Sequence, residues 1–168
     1  MKKTVLVIML CILGLNTIHS QFWQRNNTFQ NNLSSISISS DIVDNFKSSS
    51  KNIAIELEKS FNKSYVKGEM RYIDHQNSSY IEASFSAGLH FSFFKKGETF
   101  YVGIREGVIY RQKSFYNTIG GELGINFILN KRIVLGVRTT MDYRTDLELF
   151  NAPSKFVHSN YVKIGLVL

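Results

Sequence analysis

Two groups of histidine and serine residues have the side chains that hydrolytic chemistry needs. His158 is followed directly by Ser159, and His75 follows Asp74 and precedes a pair of serines. A serine becomes a nucleophile when a histidine within hydrogen-bond reach takes its proton. Neighbouring residues of a β-strand point to opposite faces, so His158 and Ser159 do not meet this condition on a strand. The residues around His75 are ordinary turn formers. We therefore expect no catalytic residues.

Motifs for metals, nucleotides and thiol chemistry are missing from the sequence. It contains no HExxH pair, no glycine-rich phosphate loop after a strand and no cluster of metal-ligand residues. The single cysteine, Cys11, lies in an apolar N-terminal stretch and is preceded by Leu10, which does not fit a lipoprotein signal. We predict neither a cofactor nor a metal, and no disulfide.

The first 20 residues have the organisation of a secretory signal peptide. Lys2 and Lys3 precede an apolar stretch, 5–15, and a short polar stretch ends at Ser20. An N-terminal membrane anchor is the alternative, although the apolar stretch is short for one. Without Lys2 and Lys3 the formal net charge falls from +7 to +5, which does not indicate a nucleic-acid partner for an exported protein. We divide the chain into a signal peptide (1–20), a polar lead-in (21–32) and a barrel domain (33–168).

Period-two alternation dominates the chain after residue 33. In the stretch 80–93, YIEASFSAGLHFSF, apolar residues such as Phe85 and Leu89 alternate with polar residues such as Glu82 and His90. The same pattern predicts eight strands: 33–43, 52–60, 64–73, 80–93, 99–111, 117–129, 132–144 and 160–168. Three connections are short, around 61–63, 95–98 and 130–131. Four are longer, at 44–51, 74–79, 112–116 and 145–159. Alternating connection lengths favour an up-and-down barrel with both termini at the short-turn end.

The polar face of these strands predicts which side of the sheet meets lipid. It carries acidic and basic side chains in similar numbers, together with glycine and serine, which fit a narrow interior where charges must pair. The apolar face is almost free of charge and suits a hydrocarbon layer. The fold class that we predict is therefore all-β, an eight-stranded antiparallel up-and-down transmembrane β-barrel. Its interior charge network comprises Glu56, Glu58, Glu69, Arg71, Glu82, His90, Arg105, Glu122, Arg138, Asp142, Arg144 and Lys163.

Aromatic residues lie near the strand ends, as in the interfacial girdles of membrane barrels. We assign Tyr65, Tyr72, Phe91, Phe93, Phe100, Tyr110, Phe127 and Tyr143 to these girdles. Glu106 falls on the lipid face, and a bulge at 105–107 is expected to turn it inward. The outer loops carry cations that lipopolysaccharide phosphates would attract: Lys47, Lys51, Arg111, Lys113 and Lys155.

The strand pattern and the terminal strand with Val162, Ile164, Leu166 and Leu168 resemble the small outer-membrane barrels of Gram-negative bacteria, of the OmpA and OmpX type. The C-terminal part also faintly resembles TraO-type barrels of conjugative elements. This resemblance implies an outer-membrane envelope component with a plugged interior, acting in adhesion or as an accessory of a secretion or transfer system. Its expected partners are outer-membrane lipid, lipopolysaccharide and envelope proteins.

Two alternatives remain from the sequence. One is an outer-membrane lipid A-modifying hydrolase, because lipid A deacylases resemble this chain in size and use a His-x-Ser pair. The other is a soluble exported lipocalin-like barrel that binds an apolar ligand. The sequence does not define the oligomeric state.

Overall fold

The computed structural model describes residues 33–42, 51–61, 63–75, 78–91, 98–150, 152 and 154–168. The predicted signal peptide, the lead-in, Lys47, Phe93 and the turn at 95–97 lie outside these residues. Eight strands and one short 3₁₀ helix, Thr145–Phe150, make up the fold. The strands are β1 (Ser34–Asp41), β2 (Lys51–Phe61), β3 (Ser64–His75), β4 (Ser78–Phe91), β5 (Glu98–Arg111), β6 (Ser114–Leu129), β7 (Ile133–Arg144) and β8 (Phe156–Val167).

The strands close into one antiparallel barrel in the order β1 to β8, with β1 paired to β8. The predicted eight-stranded up-and-down fold is therefore confirmed. Leu33 and Leu168 lie together at one end, where the Leu168 amide donates to the Ser34 carbonyl oxygen at 2.9 Å. We call this the terminal end and the opposite end, which carries the 3₁₀ helix, the mouth. No described helix is long and apolar enough to cross a membrane.

Two connections at the mouth are shorter than predicted. Gln112 and Lys113 alone join β5 to β6, both with positive φ (50° and 63°), as a type I′ hairpin turn requires. The predicted loop at 112–116 is wrong because Ser114 continues the ladder by pairing with Arg111. His75 likewise pairs with Ser78, so the predicted loop at 74–79 shrinks to two residues.

β8 also begins earlier than predicted. Phe156 pairs with Tyr143 of β7, four residues before the predicted start of this strand at 160. The predicted loop at 145–159 therefore contains the 3₁₀ helix and the first residues of β8. The pairing between β7 and β8 is continuous through Asn160, so the strand does not begin there.

The two faces of the barrel differ sharply in chemistry. Apolar side chains cover the outside, and several are more than half exposed, including Ile104 at 75% and Met70 at 62%. Fifteen acidic and basic side chains are buried among the described residues. This arrangement is the reverse of a water-soluble barrel, because a soluble fold would place apolar groups inside. It is the arrangement of a transmembrane barrel.

Two predictions about the faces are wrong. Tyr65 is buried inside the barrel with 2% of its surface exposed, because it shares the inward phase of Lys67 two residues later. Glu106 is exposed on the outside. The ladders on both sides of it are continuous, through Phe85 and Ile119, so there is no bulge at 105–107 to turn it inward.

Candidate functional site

The interior of the barrel holds all twelve side chains of the predicted charge network. Each is buried: Glu56, Glu58, Glu69, Arg71, Glu82, His90, Arg105, Glu122, Arg138, Asp142, Arg144 and Lys163. Lys67 pairs with Glu122, Asp146 pairs with Arg144 and with Arg111, and Asp41 is also buried. Strict alternation brings the strand residues of this set inside, because every second residue of each strand points towards the barrel axis.

Arg138 is the centre of the network. Its guanidinium contacts three carboxylates from three other strands: Glu56 at 3.2 Å, Glu69, and Glu122 at 3.4 Å. Lys67 also contacts the Glu122 carboxylate, with its Nζ 2.6 Å away. One buried guanidinium thus neutralises carboxylates of β2, β3 and β6, which ties opposite walls of the barrel together.

A second group of charges lies closer to the mouth. Arg105 donates to Glu82 at 2.8 Å and to Asp142 at 2.9 Å. Arg71 donates to Glu69 at 2.6 Å and contacts Glu82 at 3.5 Å. Because Glu69 also binds Arg138, the two groups form one continuous network.

The terminal end of the network is polar and less tightly filled. Lys163 Nζ lies 3.1 Å from Glu58, whose other carboxylate oxygen accepts from the Asn126 amide at 3.4 Å. Glu58, Asn126 and His90 line a small cavity together with Ser60 and Leu33, with room for about one water molecule. The structure thus places His90 beside the network, at its terminal end.

Three inward-facing tyrosines lie at three levels along the barrel axis, each with two cations close to its ring. The pairs are Tyr80 with Arg111 and Arg144, at 5.0 and 4.6 Å; Tyr161 with Arg71 and Arg138, at 4.7 and 4.6 Å; and Tyr101 with Lys67 and Lys163, at 5.5 and 5.4 Å. These distances from ring centroid to cation are within the range of cation–π attraction. Each tyrosine with its two cations forms what we call a tier. The three tiers fill the cross-section at the mouth, the middle and the terminal end.

The mouth tier includes two residues that sequence reasoning did not place in the network. Asp146, in the 3₁₀ helix, accepts from Arg111 at 2.9 Å and from Arg144 at 2.7 Å. Burial alone would raise the pKa of Asp146, but the hydrogen bonds and charges of Arg144 and Arg111 outweigh it and lower that pKa. Alternation gave no signal for Asp146, because it lies beyond the end of β7. Arg111 was predicted to be a loop cation, and its burial at the end of β5 corrects this.

Glycines accommodate the tyrosine rings. A Cβ atom on Gly103 would lie 2.2 Å from the Tyr65 hydroxyl oxygen, and one on Gly88 would lie 2.8 Å from the same ring. A Cβ atom on Gly124 would lie 2.6 Å from the ring of Tyr101. Tyr65 also donates to Glu122 at 2.7 Å. Glycine in the strands thus makes room for rings that carry polar contacts across the interior.

His158 and Ser159 do not form a catalytic pair. His158 is exposed on the outer wall, whereas Ser159 is buried inside. His75 ends β3. Within the ranges that the structure describes, no three histidine, cysteine or carboxylate side chains are grouped to hold a metal ion.

The predicted lipid-binding cations are separate from each other. Lys51 begins β2, Lys113 lies in the β5–β6 turn, and both are exposed. Lys155, before β8, forms an ion pair with Glu148, which raises its pKa through their hydrogen bond. Lys155 also lies 5.9 Å from the ring of Tyr143. These cations lie at the mouth, but they do not converge on one site.

The reversed faces and the filled interior define a transmembrane β-barrel protein. No family model matches the chain, and no curated protein matches it in sequence. The fold is similar to that of the outer membrane protein Ail of Yersinia pestis, whose structure was determined in a phospholipid bilayer nanodisc. That likeness has a TM-score of 0.53 at 15% identity and covers 82% of this chain and 100% of the other. Neisserial surface protein A matches with a TM-score of 0.49 at 11% identity, over 82% and 94% of the two chains.

At such low identity the likeness to Ail shows the fold alone. It agrees with the predicted fold of a small outer-membrane barrel of the OmpA and OmpX type. The resemblance to TraO-type barrels stays a prediction from the sequence. The soluble lipocalin-like alternative is wrong, because the interior is charged instead of apolar.

Proposed function

We propose that this protein is an outer-membrane barrel with a closed, charge-paired interior and a structural or interaction role at the cell envelope, without enzymatic activity. One observation carries the proposal: apolar side chains cover the outside while three tiers of cations and tyrosines fill the inside. A barrel of this kind holds its outer surface and its mouth in a fixed position in the bilayer. Adhesion and an accessory role in secretion or transfer are the forms of this function that we favour.

The interior supports a plug rather than a pore. Eight strands leave a lumen just wide enough for side chains, and here long side chains from opposite walls meet in ion pairs such as Lys67–Glu122, at 2.6 Å. An ion would have to separate these pairs to pass. We therefore propose that the barrel does not conduct solutes.

The outer face supports lipid as the immediate partner. The mouth carries the exposed cations Lys51 and Lys113 and the half-buried Lys155, which suit an anionic lipid surface such as lipopolysaccharide. With the mouth outward, both ends of the barrel domain would face the periplasm.

A heat-modifiability experiment tests the proposal. The exported protein is extracted from membranes in mild detergent and run on a gel with and without boiling. We expect it in the outer-membrane fraction, with a mobility shift on boiling that marks a closed barrel. A soluble protein without a shift would overturn the proposal.

Single cysteines test the orientation, since Cys11 lies in the predicted signal peptide and the rest of the chain contains no cysteine. Ser114→Cys places a thiol at the mouth, and Arg132→Cys places a matched exposed thiol at the terminal end. A membrane-impermeant maleimide added to intact cells should label the first variant alone. Labelling of the second alone would show that the mouth faces the periplasm.

A further inference from the structure

Two of the polar spots that interrupt the apolar outer wall of the barrel are complementary to each other. The first is Glu106 on β5, whose exposed carboxylate forms no ion pair or hydrogen bond with any described residue. Its direct neighbours across the sheet are Phe85 and Ile119. An ionisable side chain that faces lipid is costly and indicates a functional contact.

The second spot lies on β7 and β8 and consists of Thr139, His158 and Asn160. Thr139 Oγ1 donates to the Ser159 carbonyl oxygen at 3.3 Å and therefore accepts from His158 Nε2, which lies 2.8 Å away. Asn160 Nδ2 lies 3.5 Å from the other ring nitrogen of His158. This spot can donate to a further acceptor, because the Asn160 amide carries a second N–H.

The two spots lie at similar depths in the bilayer. A row of paired residues leads from Glu106 through Ile119 and Tyr143 to Phe156 on β8. With strands tilted by roughly 40° and about 4.8 Å apart, this row climbs roughly 9 Å towards the mouth. His158 and Asn160 follow Phe156 by two and four residues along β8, in the direction of the terminal end. At roughly 3.3 Å per residue along the tilted strand, they lie about 5 and 10 Å below Phe156. They therefore bracket the depth of Glu106.

We propose that Glu106 of one copy binds the His158–Asn160 spot of a second copy of this chain within the membrane. An acceptor-only carboxylate and a spot that can donate a further hydrogen bond are complementary, and equal depth lets them meet when both copies have the same orientation. Three of the four diagonal neighbours of Glu106 are small, Ala83, Ala87 and Gly121, and the fourth is Asn117; small residues allow close approach in lipid.

The geometry makes this contact heterologous. The two spots are three strands apart in the eight-stranded barrel, so each copy offers Glu106 to one neighbour and the His158–Asn160 spot to another. Such contacts generate rings or open rows instead of a two-fold dimer. A two-fold dimer centred on β5 would place one Glu106 against the other, and the like charges would repel each other.

The inference rests on the membrane-spanning barrel proposed above, and disulfide cross-linking in bilayers tests it. Two differently tagged forms, Ile104→Cys and Val162→Cys, are reconstituted together in phospholipid vesicles and oxidised mildly. Both cysteines lie on the outer wall, two residues from Glu106 and from Asn160 towards the terminal end, so the proposed contact itself stays intact. We expect a disulfide between the two forms and none when either form is present by itself. Cross-linking of Ile104→Cys with itself, or no cross-link in any mixture, would overturn the inference. A gel-mobility shift on boiling of the same samples shows separately whether the barrel has inserted.

A second readout uses the protein without cysteines. Energy transfer between labelled copies in vesicles measures how strongly the copies associate. Glu106→Gln should weaken the apparent affinity between copies by about tenfold, because a charge-assisted hydrogen bond in an apolar medium is lost. Met70→Gln is the matched control, since Met70 is also outward-facing and strongly exposed, and it should leave association unchanged. Equal association of wild type and Glu106→Gln would contradict the inference.

Discussion

The ring of Tyr65 lies against the backbone of Gly103, and the Tyr65 hydroxyl oxygen occupies the space where a β-carbon on Gly103 would be, 2.2 Å away. The same ring covers Gly88, the cross-strand partner of Gly103. A tyrosine on β3 therefore fits only because β4 and β5 carry glycine opposite each other. This contact also positions the hydroxyl group that donates to Glu122.

Gly103→Ala should destabilise the barrel by about 3 kcal/mol, the cost of forcing a buried ring and its hydrogen bond out of place. The new methyl group would also lie 2.7 Å from the Ala87 carbonyl oxygen, which cannot move away easily. Gly68→Ala is the matched control, because nothing lies within 4 Å of its Cβ position. Urea unfolding of both variants in lipid vesicles measures the difference. Equal stability of the two would show that Tyr65 does not need Gly103.

Arg138→Met should prevent folding or cost about 4 kcal/mol, because it leaves three buried carboxylates without their shared cation. Lys155→Met provides the comparison, since the Lys155–Glu148 pair is exposed and an exposed pair contributes about 0–1 kcal/mol. The yield of heat-modifiable protein after refolding reports both effects. Normal refolding of Arg138→Met would contradict the central role of this guanidinium.

Single substitutions in a tier should not open a conducting path. Tyr101→Ala removes the ring at the terminal end, but the tiers around Tyr161 and Tyr80 still fill the barrel. We expect no single-channel currents from this variant in planar bilayers, and detectable currents only when all three tyrosines are replaced by alanine. Currents from Tyr101→Ala alone would show that the other two tiers do not seal the lumen.

Asp146→Asn should loosen the 3₁₀ helix at the mouth in a pH-dependent way. The pKa of Asp146 is lowered in the folded barrel, so the carboxylate stabilises the fold above its unfolded pKa, about 3.9, and this contribution is lost as the pH falls through the folded value. We expect the free energy of unfolding of wild type to exceed that of the variant by about 2 kcal/mol at pH 7, a value between those of exposed and buried ion pairs. Urea titrations at pH 7 and pH 3 should show this gap narrowing in acid. A gap of the same size at both pH values would contradict the assignment.

The sequence predicted the barrel because two-residue periodicity is strict wherever one face meets lipid and the other meets charge. Glu56, Glu82 and Arg138 could be placed inside from their phase alone, without knowledge of their partners. The pairings themselves could not be predicted, since they depend on how strands from opposite walls are staggered.

Two-residue periodicity was a poor guide to aromatic residues near the strand ends and to residues that follow a strand. Tyr65 is close to the start of its strand, and position near a strand end suggested an interfacial ring, although its phase with Lys67 was the correct signal. Asp146 follows β7 in a 3₁₀ helix, where strand alternation no longer applies. Glu106 obeyed its phase, and the bulge expected there does not exist.

The cross-wall ion pairs have a consequence for how the chain reaches its folded state. Lys67 on β3 meets Glu122 on β6, and Arg138 on β7 meets Glu56 on β2. A partly assembled sheet therefore leaves these charges without partners in a lipid environment, where they are costly. Intermediates with an open seam should be scarcely populated, so that the eight strands close in a single cooperative event. The same barrier would oppose reopening, which makes the inserted barrel long-lived because it unfolds slowly.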